Sequence, residues 1–184
     1  MYNASPLPRN ADGIVLRRLS PSDLAVFQSY RRDPDLGRYQ GWTATSDDEA
    51  AVFLREVSTA PLLQAGAWSQ IGIAGARTLE LIGDIGLLLA ADGRHVEIGF
   101  TLMPQAQGRG LGTAAVREAI ILVFQMTAAE RVLGITDARN LSSIRLLERV
   151  GMHRTGSRSA LFRGDPCVEH IYAISHHLES GRRV

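Results

Sequence analysis

The stretch QAQGRGLGTAAVREAIILVF, residues 105–124, sets glycines at 108, 110 and 112 directly ahead of an apolar helical run. Just upstream, VEIGFTLM alternates. Val96, Ile98, Phe100 and Leu102 share one face, and Glu97, Gly99, Thr101 and Met103 share the other. A strand therefore feeds a helix through a turn that is almost bare backbone. Glycine fixed in a structure costs roughly 0.5–1 kcal/mol relative to alanine, so three alternate glycines ask for more than a change of direction. The free N–H groups of a helix start, backed by the positive end of its dipole, suit an anion that bare backbone lets approach. A hydrogen bond to a charged acceptor contributes about 1.5–3 kcal/mol, and a pyrophosphate takes several.

Three other uses fit less well. Gly110-Leu-Gly112-Thr-Ala-Ala115 matches the G-x-G-x-x-A fingerprint of dinucleotide sites. That fingerprint opens a parallel βαβ series, whereas the strand here comes from a hairpin. Glu130 also falls at the start of the next strand and not at its far end, where a ribose-binding acid belongs. A P-loop requires a lysine, and a ligand-free turn manages with one glycine. The phosphate cradle is favoured.

The whole chain narrows the field further. Its 184 residues suit one domain with a sizeable core, and 45% hydrophobic with 21% charged residues is ordinary for a globular protein. A formal net charge of +1 argues against nucleic acid or an anionic membrane as partner. All 20 cationic residues are arginine, which excludes Schiff-base lysine chemistry. The single Cys167 excludes an intrachain disulfide and a multi-cysteine metal site, and reads as a half-buried structural thiol. No metal is expected. The start MYNASPLPRNADG lacks the layout of a signal peptide and no apolar run is long enough to span a bilayer, so a cytoplasmic location is expected.

Along the chain, IVLRRLSPSDLAVFQSY reads as a strand and then a helix, with Ser20 as cap, Pro21 at the first position and Asp23 at the third. RRDPDLGRYQGW is turn-rich and ends in Tyr39 and Trp42. Ser46 and Glu49 have capping-box spacing ahead of a helix with Ala50, Phe53, Leu54 and Val57 on one side. AWSQIGIAG, LELIGDIGLLLA and VEIGFTLM form an antiparallel meander, the last two joined at Asp92-Gly93. A helix from about Thr113 to Met126, the strand RVLGITDA, the helix NLSSIRLLERVG and a closing antiparallel pair follow. The expectation is a single α/β (α+β) domain over 1–184, core about 13–178, with a mixed, mostly antiparallel sheet flanked by helices.

Gln107-Gly108-Arg109-Gly110-Leu111-Gly112 matches the Q/R-x-x-G-x-G/A signature, and from LRRLSPSDL to HIYAISHHL the chain resembles the GNAT superfamily of N-acetyltransferases. EIGFTLMPQAQGRGLGTAAV followed by DARNLSSIRLLERVGM is most similar to the subfamily that acetylates ribosomal-protein N-termini. The resemblance implies acetyl-CoA as co-substrate, an amine acceptor and a homodimer. It implies that the pantetheine arm lies between two splayed parallel strands near residues 96–103 and 131–138. Backbone groups of Leu102 and Met103 would face the arm and the thioester carbonyl, an N–H there stabilising the oxyanion. The amides of Gly108, Arg109, Gly110, Leu111, Gly112 and Thr113 would take the pyrophosphate, with Arg109 adding charge.

Attack requires a neutral amine, so a base helps. Glu97 stands where some relatives carry theirs, and His95 is a weaker candidate. Many relatives protonate the leaving thiolate with a tyrosine, but this chain has Leu146-Leu147 there. The ribosomal type uses N-x-x-S, which Asn140-Leu-Ser-Ser143 fits, giving Ser143 the donor role and Asn140 a helix cap beside the cofactor. Tyr39 and Trp42 would wall the acceptor pocket. The acceptor is a protein N-terminus or a small-molecule amine such as an aminoglycoside, polyamine or amino acid; a non-catalytic coenzyme A sensor is the rival from another class.

Overall fold

In the computed structural model, which describes residues 6–176, eight strands form one sheet in the order β1-β2-β3-β4-β5-β6-β8-β7. They are β1 (Arg9–Ala11), β2 (Ile14–Arg18), β3 (Trp68–Gly75), β4 (Leu81–Leu89), β5 (His95–Leu102), β6 (Arg131–Asp137), β7 (His153–Phe162) and β8 (Asp165–Ser175). Every neighbouring pair is antiparallel except β5 and β6, so the sheet is mixed and mostly antiparallel, as expected. The helices are α1 (Leu24–Arg31), the four-residue α2 (Pro34–Gly37), α3 (Asp47–Thr59), α4 (Leu111–Met126) and α5 (Leu141–Arg149).

The alternation along β5 sorts the two layers. Val96 and Ile98 are buried in the larger core, with Phe100 and Leu102 packed against it. Helix α4 supplies Ala115, Val116, Ala119, Ile120, Leu122 and Val123 to the same core. Fully burying one of its larger aliphatic side chains contributes about 1.5–3 kcal/mol. On the opposite face Leu19, Phe27, Tyr30, Ala50, Leu54 and Leu81 join α1 and α3 to the sheet. The helix starts follow the caps. Ser20 and Asp23 form a capping box on a 3-10 turn that leads into α1, and Ser46 and Glu49 form one on α3. Asp33 caps α2 inside the segment read as turn only.

Two boundaries move. The core begins before residue 13: β1 pairs with β2 across Asp12-Gly13, Gly13 has φ 77 and Leu7 is buried. Strand β8 starts at Asp165, two residues before Cys167. The expected extension through His177 and Leu178 lies outside the described residues.

Asp84 shows what pins α1 to the sheet. It sits mid-strand in LIGDIGLLL and is 1% exposed. Its carboxylate accepts from the Tyr30 hydroxyl, from Arg31 Nη2 at 2.8 and 2.9 Å and from Gln70 Nε2 at 2.7 Å. Burial, then the charge of Asp84, pushes the Tyr30 phenol far above its ordinary range, so it stays a donor. Removing one partner of a buried pair strands the other charge and costs about 3–5 kcal/mol. We therefore expect Asp84→Ala to lose about that much stability in urea unfolding; a loss below about 1 kcal/mol would contradict the pinning role.

Candidate functional site

Strands β5 and β6 pair only at His95–Arg131, Val96–Val132 and Glu97–Leu133. Beyond that point β5 stays with β4 as far as Leu102, and β6 stays with β8 as far as Asp137. The two strands thus part, leaving their inner edges facing a gap. The Met103 N–H donates to Ile82 O on β4 at 2.8 Å, and alternation sends the backbone groups of Phe100 and Leu102 the other way, into the gap. Both carbonyls there are met by side chains: Gln40 Nε2 donates to Phe100 O at 3.1 Å and Gln107 Nε2 to Leu102 O at 2.8 Å. Leu102 turns its backbone groups to the gap. Met103 does not, because its N–H serves β4 and its carbonyl accepts from Ala106 N; its side chain packs in the smaller core.

The three glycines have separate reasons. Gly108 (φ 72) and Gly110 (φ 78) hold left-handed backbone, and a Cβ on either would meet only open space. At Gly112 a Cβ would come 3.0 Å from Leu146 Cδ1, so that glycine lets α4 close on α5. Gly110 is the N-cap of α4 and offers no side-chain cap. Among the described residues, the amides of Gly108, Arg109, Gly110, Leu111, Gly112 and Thr113 donate no hydrogen bond within the protein. Six consecutive free donors on open, side-chain-poor backbone fit a pyrophosphate. Arg109 lines a hollow together with Arg17, Asp23 and Met103.

Helix α5 begins across the gap. Asn140 caps it, Oδ1 accepting from Ser143 N at 3.2 Å, which leaves the amide NH2 and the half-buried Ser143 hydroxyl without a protein partner among the described residues. The helix is seated by Leu147, which fills the space over Gly134 on β6; a Cβ there would lie 2.6 Å from Leu147 Cδ2.

Glu97 lies on the α1 face where the strands part. Burial raises its carboxyl above the ordinary range; the Arg158 charge opposes this, Glu169 adds to it and His95 opposes it. Two residues on, the Cβ position of Gly99 opens onto empty space. Further out on the sheet a groove of about 880 Å³ is lined by Asp137, Arg139, Ser159, Ala160 and Cys167, among others. Arg139 holds Asp137 in a two-pronged pair at 2.9 and 2.7 Å, which lowers the carboxyl below its usual range despite burial. The Arg139 guanidinium also stands 6.0 Å from the Tyr39 ring. Trp42 stacks on Arg31 at 4.5 Å and donates from Nε1 to Thr101 Oγ1 at 3.3 Å. Tyr39 and Trp42 both lie on this side of the sheet. His95 is half-buried at the foot of β5, and Cys167 is half-buried in the groove.

Sequence reasoning missed Asp84, Gln40 and Arg163. A lone carboxylate in an apolar strand was a usable signal for the first, since such a group must be paired when buried. For the other two, both in turns, the sequence offered none.

A family model described as "Acetyltransferase (GNAT) domain" matches residues 14–153. Over 167 residues, 89% of this chain and 93% of its relative, the sequence is 28% identical to an uncharacterized N-acetyltransferase, YoaA, from Bacillus subtilis (strain 168). A crystal structure of an acetyltransferase (GNAT family) from Bacillus anthracis superposes with TM-score 0.82 at 18% identity, covering 93% of this chain and 99% of the other. A ribosomal alpha-N-protein acetyltransferase in complex with coenzyme A superposes with TM-score 0.76 at 17% identity, covering 89% and 94%.

If the free amides form the cradle, Gly110→Val, which forces a β-branched residue into left-handed backbone, weakens acetyl-CoA binding by roughly 10- to 150-fold in calorimetry, the equivalent of one lost hydrogen bond to a charged acceptor. Circular dichroism should show the fold retained. Undiminished affinity would refute the placement.

Proposed function

The chain belongs to the GNAT acetyltransferase family, and on that premise we propose that it transfers the acetyl group of acetyl-CoA directly to a primary amine at the mouth of the gap between β5 and β6. The observation that carries this is the run of six unclaimed amides beside two strands that part, with open space around Gly108 and Gly110. Acetyl-CoA supplies the thioester. What the chain supplies is its orientation, a donor and two proton-handling groups.

The Leu102 N–H faces the gap and is the donor we assign to the thioester carbonyl oxygen as charge develops on it. Glu97 takes the proton that the amine must lose, directly or through water. Burial raises its pKa, which makes it a better base than an ordinary glutamate. As the C–N bond forms and the C–S bond breaks, the Ser143 hydroxyl, whose amide is held by the Asn140 cap, passes its proton to the thiolate and is reprotonated from solvent, to which Glu97 releases the proton taken from the amine. A thiol of pKa about 8.5 leaves without much help, so Ser143 matters less than Glu97.

For the acceptor we favour a peptide or protein N-terminus. The support is the open groove of about 880 Å³ over Asp137, Arg139 and Ala160, a volume in the range of sites that hold a short peptide or drug-sized ligand. An N-terminal amine also loses its proton near pH 8, against roughly 10.4 for a lysine-type amine, and so asks less of one carboxylate. A polyamine or other small amine is the alternative, separated from the first by assaying both classes.

Glu97→Gln should lower kcat by about 10²–10⁴ while acetyl-CoA binding persists. The parent rate should fall as pH drops through a midpoint above the ordinary glutamate value of about 4.3, because protonation removes the base; the variant should lack that limb. Ser143→Ala should cost roughly tenfold or less at neutral pH. Equal rates in all three proteins would remove both residues from the mechanism.

A further inference from the structure

Arg163 (φ 52) and Gly164 (φ 88) turn β7 into β8 between the paired Phe162 and Asp165. A two-residue hairpin with both central residues left-handed favours Asn-Gly, Asp-Gly or Gly-Gly. An arginine in the first position is locally the wrong residue. Its side chain supplies the reason: Nη2 donates toward Trp42 O at 2.9 Å, Gly37 O at 3.2 Å and Gln40 O at 3.3 Å. One nitrogen with two hydrogens is thus shared among three carbonyls of the loop 37–42, more than 120 positions away in sequence.

That loop reaches the gap itself. Gln40 Nε2 is on Phe100 O, Trp42 is on Thr101 and Arg31, and Tyr39 faces Arg139 at the groove. The hairpin on the other side carries Ser159, Ala160 and Cys167 along the groove wall. We propose that Arg163 is a positioning residue for the acceptor: it ties the 37–42 loop to the β7–β8 hairpin that lines the groove, sets Tyr39 beside Arg139 at the groove's edge and holds Gln40 against the mouth of the gap. This rests on the groove being the acceptor's path. Arg163 touches no reacting atom; it acts through the loop.

Arg163→Asn is the informative variant, because asparagine suits the turn better and keeps the hairpin folded while releasing the loop. In a Trp68→Phe background Trp42 is the sole indole, and its acrylamide quenching reports the loop directly. We expect Arg163→Asn to raise that quenching constant about twofold with Tm unchanged or higher. With a short alanine- or serine-initiated peptide as acceptor, KM should rise about tenfold, the equivalent of one charge-assisted hydrogen bond, while kcat and acetyl-CoA affinity stay within about threefold. Arg163→Lys, which keeps a cationic donor, should recover most of both effects. Unchanged Trp42 quenching overturns the proposal, as does a changed quenching with unchanged KM, or a lowered Tm accompanied by parallel loss of acetyl-CoA binding. Absence of peptide acetylation in the parent counts against the peptide reading alone, and the Trp42 measurement with a polyamine KM then decides for the clamp.

Discussion

Backbone N–H and C=O groups inside a protein must find partners, and in this sheet one parallel ladder stops after three residue pairs. From Ile98 onward β5 has β4 on one side and a gap on the other; from Gly134 onward β6 has β8 and the same gap. The protein answers half of the resulting demand itself, with the side-chain amides of Gln40 and Gln107 on the two β5 carbonyls. The donors on that edge, and the six amides that follow it around the glycine loop, have no protein partner among the described residues. Fold and site are one consequence of this parting.

Two helices flank the parting. Helix α4 enters at the C-terminal end of β5 and α5 at the C-terminal end of β6, and they meet where Gly112 admits Leu146. The glycines are therefore not interchangeable: two hold open, left-handed backbone and one lets two helices close. The absence of lysine fits the same economy of means. A phosphate held by fixed amides and a helix dipole needs no mobile ammonium, and the donors arrive already oriented.

Much of this was legible in the sequence because it depends on local pattern. The alternation of Val96, Ile98, Phe100 and Leu102, the glycine spacing and the caps at Ser20, Ser46 and Asn140 are all decided within a few residues. What stayed hidden depends on pairing at long range. Whether the Met103 N–H faces the gap or β4 is a matter of register, one residue's shift reversing it, and register is set by β4. Arg163 reads as a loop arginine until the fold brings it to Gly37, Gln40 and Trp42. Asp84 was passed over although a carboxylate in an apolar strand is a signal, and nothing nearby names Tyr30, Arg31 and Gln70 as its partners. The strand β1 was missed because three residues carry too little periodicity to be seen.

The central claim is that one continuous set of backbone donors, from the parted edge of β5 through the start of α4, receives acetyl-CoA. Backbone amide NMR during titration with acetyl-CoA tests it most directly. The account predicts saturable shifts at Phe100, Leu102 and the amides of residues 108–113, with the Met103 amide, already bonded to Ile82, little changed. Saturable binding that leaves those amides unmoved, or no binding at all, would contradict it.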